Sequence, residues 1–234
     1  MATTILLRHG HSTGNADGIL AGWTPGVVLT ERGRAEAQAL GTRLAAVPLA
    51  RIVSSPLERC LATAEAVATG RDLSVIVEED LGECRYGAWT GRRLAELAAE
   101  PLWRVVQDQP SRARFPDSAD YPGESIPTLA HRVVAAIRRH DALVESEHGP
   151  SAVWVAVTHG DVIKLVVADA VGSHLDHFQR IQAGPASVTV VRYTEHRPFL
   201  LASNGSGEDV AALVTSAAGG DAASGDSVVG GDAG

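Results

Sequence analysis

The sequence is poor in cysteine and in long apolar runs. Its 234 residues include two cysteines, Cys60 and Cys84, which are too few for a disulfide scaffold. No uninterrupted apolar run approaches the roughly 20 residues of a membrane-spanning helix. The first residues, Met1-Ala2-Thr3-Thr4, have neither the basic nor the apolar segment of a secretory signal. We therefore expect a cytoplasmic protein with reduced thiols and no contact with membranes.

Positive charge is also scarce. The chain has 20 lysines and arginines against 28 acidic residues, for a formal net charge of −8. Binding to nucleic acid or to an anionic membrane needs a basic face that attracts phosphates, so we expect neither partner. Any phosphate group that the protein binds must be held by a few local residues.

The apolar content of 45% lets a chain of this length bury one substantial core. We expect a single catalytic domain over residues 1–204. After Asn204 the composition shifts to glycine, alanine, serine and aspartate, which bury too little apolar area to offset the entropy of ordering. Residues 205–234 are therefore predicted to be a disordered tail.

Strand-like apolar runs alternate with helix-like segments along the domain. This alternation predicts an α/β fold, a three-layer α/β/α sandwich with a mostly parallel central sheet. Two late strand-like runs predict a hairpin at the sheet edge, and that edge could pair in a homodimer. The strand-like runs are 5–7, 52–53, 73–77, 153–157, 187–193 and 199–202, and the helix-like segments are 31–46, 57–68 and 125–147.

The middle of the chain interrupts this alternation. Residues 94–109 are helical in pattern but broken at Pro101, and residues 110–122 are polar and rich in proline. We interpret about 94–125 as a small lid insertion made of helices and loops.

Two of the predicted strands end on a histidine followed by a glycine. They lead into Arg8-His9-Gly10 and Thr158-His159-Gly160, and the carboxyl ends of parallel strands face one ligand crevice. Arg59 follows Ser54-Ser55-Pro56 just inside a predicted helix, which adds a second guanidinium. Two arginines suit a tetrahedral phosphoryl group, and a neutral imidazole can attack it. The pattern indicates phosphoryl transfer.

Five such elements occur in the order found in the histidine phosphatase superfamily, which contains cofactor-dependent phosphoglycerate mutases and many phosphatases. The chain resembles that family over about residues 1–202. A single Arg-His-Gly tripeptide would be weak evidence, whereas five ordered elements at strand ends and helix starts are strong. The elements are Arg8-His9-Gly10, Asn15, Ser54-Ser55-Pro56 with Arg59, the segment 83–91, and Thr158-His159-Gly160.

The resemblance implies a role for each of these side chains. His9 would attack phosphorus and become phosphohistidine. Arg8, Arg59 and His159 would hold the equatorial oxygens and stabilise their charge, and Asn15 would donate one more hydrogen bond. Because fixed arginines supply the positive charge that a metal ion supplies elsewhere, no metal or other cofactor is expected.

The general acid is less sharply defined by the residues alone. Glu79, Asp80 and Glu83 all follow a predicted strand, and composition does not choose among them. The family pattern favours Glu83, which would protonate the leaving oxygen and then activate water.

Three residues near the histidines remain open. Ser12 and Gly160 are further candidates for binding phosphate, although Ser12 could instead cap its loop. His11 stands where relatives often carry glutamate, so the charge of the pocket differs from theirs.

The first expectation for function is a metal-independent phosphatase acting on a small phosphorylated metabolite. The residues after Glu83 resemble the phosphatase branch, and the mutase-type basic, proline-rich stretch is missing from the following segment. A phosphoglycerate mutase-type phosphomutase is the alternative. A phosphate-binding regulatory module without turnover is a third hypothesis.

Other residues carry weaker hypotheses. Trp23, Trp89 and Trp103 could line a pocket for an apolar leaving group, with core packing as the alternative. Cys60 and Cys84 flank Arg59 and Glu83 in the sequence, which suggests a redox switch, with core filling as the alternative.

Overall fold

One mixed six-stranded sheet forms the centre of the protein. The computed structural model describes residues 2–207 and 210–211. The strand order is β3-β2-β4-β1-β5-β6, in which the first four strands are parallel, β5 is antiparallel to β1, and β6 is antiparallel to β5. This confirms the predicted, mostly parallel sheet with a hairpin at one edge. The strands are β1 (Thr3–Arg8), β2 (Leu49–Ser54), β3 (Val75–Val77), β4 (Val153–Thr158), β5 (Val188–Arg192) and β6 (Phe199–Gly205).

Helices cover both faces of this sheet and complete the predicted three-layer α/β/α sandwich. The second and third helices pack with one buried cluster, and the sixth and seventh pack with the other. The helices are α1 (Thr13–Ala16), α2 (Glu31–Arg43), α3 (Glu58–Ala68), α4 (Leu94–Leu97), α5 (Pro101–Asp108), α6 (Ile126–His148) and α7 (Gly160–Ala170).

The central strand β1 is buried on both faces. Ile5 and Leu7 join the cluster under α2 and α3, whereas Leu6 joins the cluster under α6 and α7. Successive side chains of a strand point to opposite faces, so a strand covered twice reads as an unbroken apolar run. That is why residues 5–7 showed no polar alternation in the sequence.

Two helix starts are stabilised by side-chain caps. Thr30 precedes α2, and its hydroxyl accepts a hydrogen bond from the backbone N–H of Gly33 at 3.1 Å. Ser125 precedes α6 and accepts from Thr128 in the same way, also at 3.1 Å. Each cap satisfies an N–H group that has no partner within the helix.

Two element ends differ from the sequence-based predictions. The helix predicted over 31–46 ends at Arg43, because Leu44 and Val47 are both buried and the chain turns between them to enter β2. Tertiary burial therefore outweighs the helix propensity of the two alanines in that turn. The strand predicted over 73–77 is limited to Val75–Val77.

The segment 94–125 consists of α4, α5, a 3-10 turn at Pro110–Arg112 and an extended return to α6. Pro101 opens α5, where a missing N–H costs nothing, so the chain breaks at the predicted residue. Isolated bridges join Tyr86 to Gly123 and Arg114 to Ser125. The role of this segment as a lid stays a prediction.

The end of the chain is described only in part. Strand β6 runs to Gly205, one residue past the predicted domain boundary, and Val210 is buried in the cluster under α2 and α3. Residues 208–209 and 212–234, where most of the predicted disordered tail falls, lie outside the described residues. Within the described part, no helix has both the length and the apolar character needed to cross a membrane.

Candidate active site

The two histidines that end β1 and β4 lie side by side. The strands are parallel neighbours, and Arg8 pairs with Thr158 in their register. The rings of His9 and His159 are 5.3 Å apart between centroids, and the two residues are 3% and 0% exposed. The carboxyl end of the sheet thus brings together the two histidines that the sequence analysis placed there.

The ring of His9 is oriented by its own backbone neighbour. Its Nδ1 lies 2.8 Å from the carbonyl oxygen of Gly10, so Nδ1 carries the proton and donates it there. Nε2 is left as an acceptor, with the Nε of Arg59 at 3.3 Å. Burial, followed by the charges of Arg59 and Arg8, holds the pKa of His9 well below its ordinary value. The imidazole is therefore neutral, and its lone pair lies on Nε2, where Arg59 donates.

Arg59 is fixed by groups from three parts of the chain. It sits in the first turn of α3 and is 3% exposed. Besides His9, its guanidinium contacts the carbonyl oxygen of Gly22 at 2.9 Å and Nδ1 of His159 at 3.3 Å. An arginine held at Nε and Nη2 keeps its planar fork in one orientation, which suits recognition of a phosphoryl oxygen.

Arg8 keeps one donor unused. Its Nη1 donates to the carbonyl oxygen of Ala183 at 2.6 Å, but its buried Nε has no partner among the described residues. The guanidinium lies over Gly160, where a Cβ atom would come within 3.4 Å of Cζ. A buried donor without a partner beside a cavity calls for an acceptor, and an anion supplies one.

His159 is held by Ser55, which belongs to the Ser54-Ser55-Pro56 element but had no role in the sequence prediction. The Oγ of Ser55 is 2.8 Å from Nε2 of His159. Since Nδ1 accepts from Arg59, Nε2 carries the proton and donates it to Ser55. Burial and the charge of Arg59 lower the pKa of His159 well below its ordinary value.

Of the three candidate carboxyl groups, Glu83 is the one that lines the cavity beside His9. Glu79 pairs with Arg85 at 2.8 Å, and Asp80 lies 3.6 Å from Arg139, both at the surface. Burial, and next the neighbouring charge of Asp161, raise the pKa of Glu83 to about 7. A carboxyl group with that pKa holds a proton at neutral pH and can also release it.

The backbone that carries Glu83 is clamped from α6. The guanidinium of Arg132 donates to the carbonyl oxygens of Asp80, Gly82 and Glu83 at 2.7, 2.9 and 2.9 Å. Glu124 holds that guanidinium through contacts of 2.6 and 3.1 Å, and both side chains are largely buried. The position of the acid thus depends on a buried ion pair that does not itself line the cavity.

Ser12 and Asn15 form a reciprocal cap on the short helix α1. The N–H and the hydroxyl of Ser12 both donate to Oδ1 of Asn15, at 3.0 and 2.9 Å. The hydroxyl of Ser12 is thus engaged in its loop, as the capping alternative expected. Both residues line the cavity, where Asn15 keeps its amide NH₂ as a donor. His11 instead contacts the hydroxyl of Thr30 at 3.0 Å.

A cavity of about 250 Å³, called here the main cavity, is lined by part of these groups. Its phosphoryl end is built by six residues from the strand ends and the following loops: Arg8, His9, Ser12, Asn15, Arg59 and Gly160. Glu83 lies in the same wall as Tyr86 and Asp161. The main cavity can therefore hold an anion at one end and deliver a proton at its side.

Sequence reasoning missed several groups around the main cavity. Asp161 accepts from the hydroxyl of Tyr86 at 2.9 Å and from Nζ of Lys164 at 3.1 Å. A signal existed for Asp161 and Lys164, because they follow Gly160 on one face of α7. No signal existed for the Gly22 and Ala183 carbonyls, since backbone acceptors carry no residue signature.

A family model described as the histidine phosphatase superfamily (branch 1) matches residues 4–205. The chain belongs to the histidine phosphatase superfamily. This confirms the resemblance inferred from its five ordered elements.

Similar proteins in this superfamily carry more than one activity. A 2,3-bisphosphoglycerate-dependent phosphoglycerate mutase 2 of Gloeobacter violaceus is 40% identical over 180 residues, covering 76% of this chain and 77% of that protein. An adenosylcobalamin/alpha-ribazole phosphatase of Salmonella typhimurium is 30% identical over 167 residues, covering 70% and 76%. The solved structure of Bacillus stearothermophilus YhfR matches with a TM-score of 0.77 at 29% identity, covering 89% and 99%. The superfamily supports a phosphatase or phosphomutase activity without naming the substrate.

The three tryptophans of the sequence hypothesis divide between two tasks in this superfamily member. Trp23 donates from Nε1 to the carbonyl oxygen of Glu83 at 2.6 Å and so supports the loop of the acid. Trp89 and Trp103 stack at 6.3 Å between ring centroids and line a second cavity of about 210 Å³, called here the distal cavity.

The two cysteines are buried and reduced. Burial raises the pKa of Cys60 to about 12 and that of Cys84 well above its ordinary value. Because the thiolate is the reactive form, these shifts disfavour the redox-switch hypothesis and favour core filling.

Proposed function

We propose that the protein is a metal-independent phosphomonoester hydrolase that acts on a small phosphorylated metabolite through a phosphohistidine intermediate. One observation carries this proposal. The neutral His9 presents Nε2 to a cavity that also contains two guanidinium groups and a carboxyl group whose pKa is about 7. Nucleophile, charge stabilisation and proton donor are therefore within one enclosure.

The first step transfers the phosphoryl group to the enzyme. Nε2 of His9 attacks phosphorus while the bond between phosphorus and the leaving oxygen breaks, and Glu83 gives its proton to that oxygen. Arg8 and Arg59 donate to the equatorial oxygens, whose charge the transition state redistributes. The leaving group departs as a neutral alcohol, and Glu83 is left as a carboxylate.

The second step hydrolyses the phosphohistidine. The Glu83 carboxylate takes a proton from a water molecule, whose oxygen attacks phosphorus. The bond from phosphorus to Nε2 breaks, and inorganic phosphate is released. His9 returns to its neutral form and Glu83 to its protonated form, so the cycle consumes one ester and one water. The arginines supply the positive charge throughout.

A phosphoglycerate mutase activity is the second candidate, because the Gloeobacter violaceus relative that carries this name is 40% identical. The charges in the main cavity favour hydrolysis. Among its described lining residues the cations are Arg8, Arg59 and Lys164, and Lys164 is paired with Asp161. A bisphosphoglycerate carries a carboxylate and a second phosphate, which would need further cations.

The test is release of phosphate from an aryl phosphate and from a panel of metabolite phosphates, in the presence of a metal chelator. We expect release by the native protein, a loss of about 10⁴-fold or more in His9→Ala, and native activity in the surface variant His148→Ala. When hydrolysis of the phosphohistidine is slowed, an acid-labile phosphoprotein should accumulate in the native protein and not in His9→Ala.

Other results would redirect the proposal. Release that survives in His9→Ala contradicts the phosphohistidine mechanism. Faster interconversion of phosphoglycerates than release of phosphate, with 2,3-bisphosphoglycerate present, establishes the mutase. Phosphate binding without any turnover establishes the regulatory module.

A further inference from the structure

The distal cavity adjoins the main cavity, and the two share a wall of five lining residues. The shared residues come from the loop after α1, the segment after Glu83, the start of α4 and the first turn of α7: Leu20, Tyr86, Leu94, Asp161 and Lys164.

Beyond that wall the lining is mostly aromatic and apolar, with Gln107 and Gln179 as its polar members. Trp89 stacks with Trp103 and meets Phe115 edge to face at 5.4 Å. Trp89 and Phe115 are 2% and 1% exposed, and Val106 closes the same side from α5. Rigid, buried aromatic rings favour a flat ring over a flexible polar chain.

The two charged residues in the wall between the cavities, Asp161 and Lys164, neutralise each other. Asp161 accepts hydrogen bonds from Tyr86 and Lys164, and Lys164 also donates to Gln179 at 3.1 Å. An ammonium group has three donors, so one remains for a neutral acceptor on a ligand. A distal carboxylate or phosphate would find no cation there that is not already paired.

We propose that the two cavities form a single substrate site, and that the substrate is a phosphomonoester whose leaving group ends in an uncharged flat ring. The phosphoryl group lies between Arg8 and Arg59, a polar atom of the leaving group meets Lys164, and the ring lies against Trp103. This assignment rests on the proposed phosphatase function. A three-carbon leaving group would leave the distal cavity without contacts.

Propyl phosphate and 3-phenylpropyl phosphate test this assignment, because both release a primary alcohol and differ only in the ring. We expect kcat/KM for the ring-bearing ester to exceed that of propyl phosphate about tenfold or more. Val106→Phe should fill the distal cavity and reduce this preference to about twofold. The same change at an exposed site, Val171→Phe, is the matched control and should keep the preference.

Trp103→Ala gives a second, independent variant, since it removes the stacking face rather than filling the space. It should also reduce the preference, and thermal unfolding of each variant shows whether it is folded. Equal hydrolysis of both esters by the native protein, or equal slowing of both by the two variants, overturns the assignment and leaves the phosphatase function standing. A native protein that hydrolyses no ester overturns the proposed function itself.

Discussion

The two ends of the active-site cavity are built in different ways. At the phosphoryl end, His9 and Arg59 come from a strand end and a first helical turn, and each is fixed by hydrogen bonds to neighbouring groups. At the leaving-group end, Leu94 and Trp103 come from short helices of the 94–125 segment. In the proposed function, the sheet therefore supplies the reacting groups and the 94–125 segment supplies the surface that meets the leaving group.

The two ends also shift proton affinities in opposite directions. Near the arginines the pKa of His9 lies well below its ordinary value, whereas beside Asp161 the pKa of Glu83 rises to about 7. The same cavity thus contains a neutral imidazole and a protonated carboxyl group at the same pH, which phosphoryl transfer to nitrogen requires.

Removing the acid should affect only esters that need a proton. In Glu83→Gln we expect kcat/KM for an alkyl phosphate to fall about 10³-fold, because general acid catalysis contributes on that scale. For 4-nitrophenyl phosphate, whose leaving group departs without a proton, the rate of the first step should fall far less. Single-turnover kinetics with both esters measure the difference.

The matched control for this variant is Glu79→Gln, a surface carboxyl next to the same loop. It should retain native rates with both esters. Equal losses with alkyl and aryl esters in Glu83→Gln would show that Glu83 is not the proton donor.

Disturbing the phosphoryl end should act on every ester alike. Arg59→Lys keeps the charge but loses the fork that contacts His9, Gly22 and His159. We expect kcat/KM to fall about 10²-fold for alkyl and aryl esters, as for removal of one well-placed donor. The same substitution at an exposed arginine, Arg104→Lys, is the matched control. A loss confined to alkyl esters would remove the distinction between the two ends.

The smallest expected effect is on the pH profile. Glu83 must be protonated for the first step, so kcat/KM for an alkyl phosphate should fall about tenfold per pH unit above a pH of about 7. Asp161→Asn removes the charge that raises this pKa and should move the midpoint to lower pH, whereas Asp169→Asn should not move it. A midpoint unchanged in Asp161→Asn would show that burial alone sets the acidity.

Sequence reasoning predicted the phosphoryl end better than the leaving-group end for a physical reason. Apolar runs identify buried strands, and parallel strands deliver their carboxyl ends to one edge, so His9 and His159 could be placed together. The path of 94–125 depends on packing between its own short helices, which no periodicity encodes. The carbonyl groups of Gly22 and Ala183 were invisible because every residue has one.

The role of α7 illustrates a middle case. Asp161 had no role in the sequence prediction, although it follows His159 and Gly160 directly. Helical spacing places Lys164 on the same face, and this could have indicated a polar wall. Where α2 would end depended instead on the burial of both Leu44 and Val47 in the core.

Strand β1 has one more consequence, for the order in which the molecule can assemble. Within this sheet it is made first, yet both of its neighbours, β4 and β5, are made much later. Until then a nascent chain carries His9 on a strand with two open edges, the kind of surface that chaperones shield. The pairing of β1 with β4, which brings His9 beside His159, is therefore a late event of synthesis.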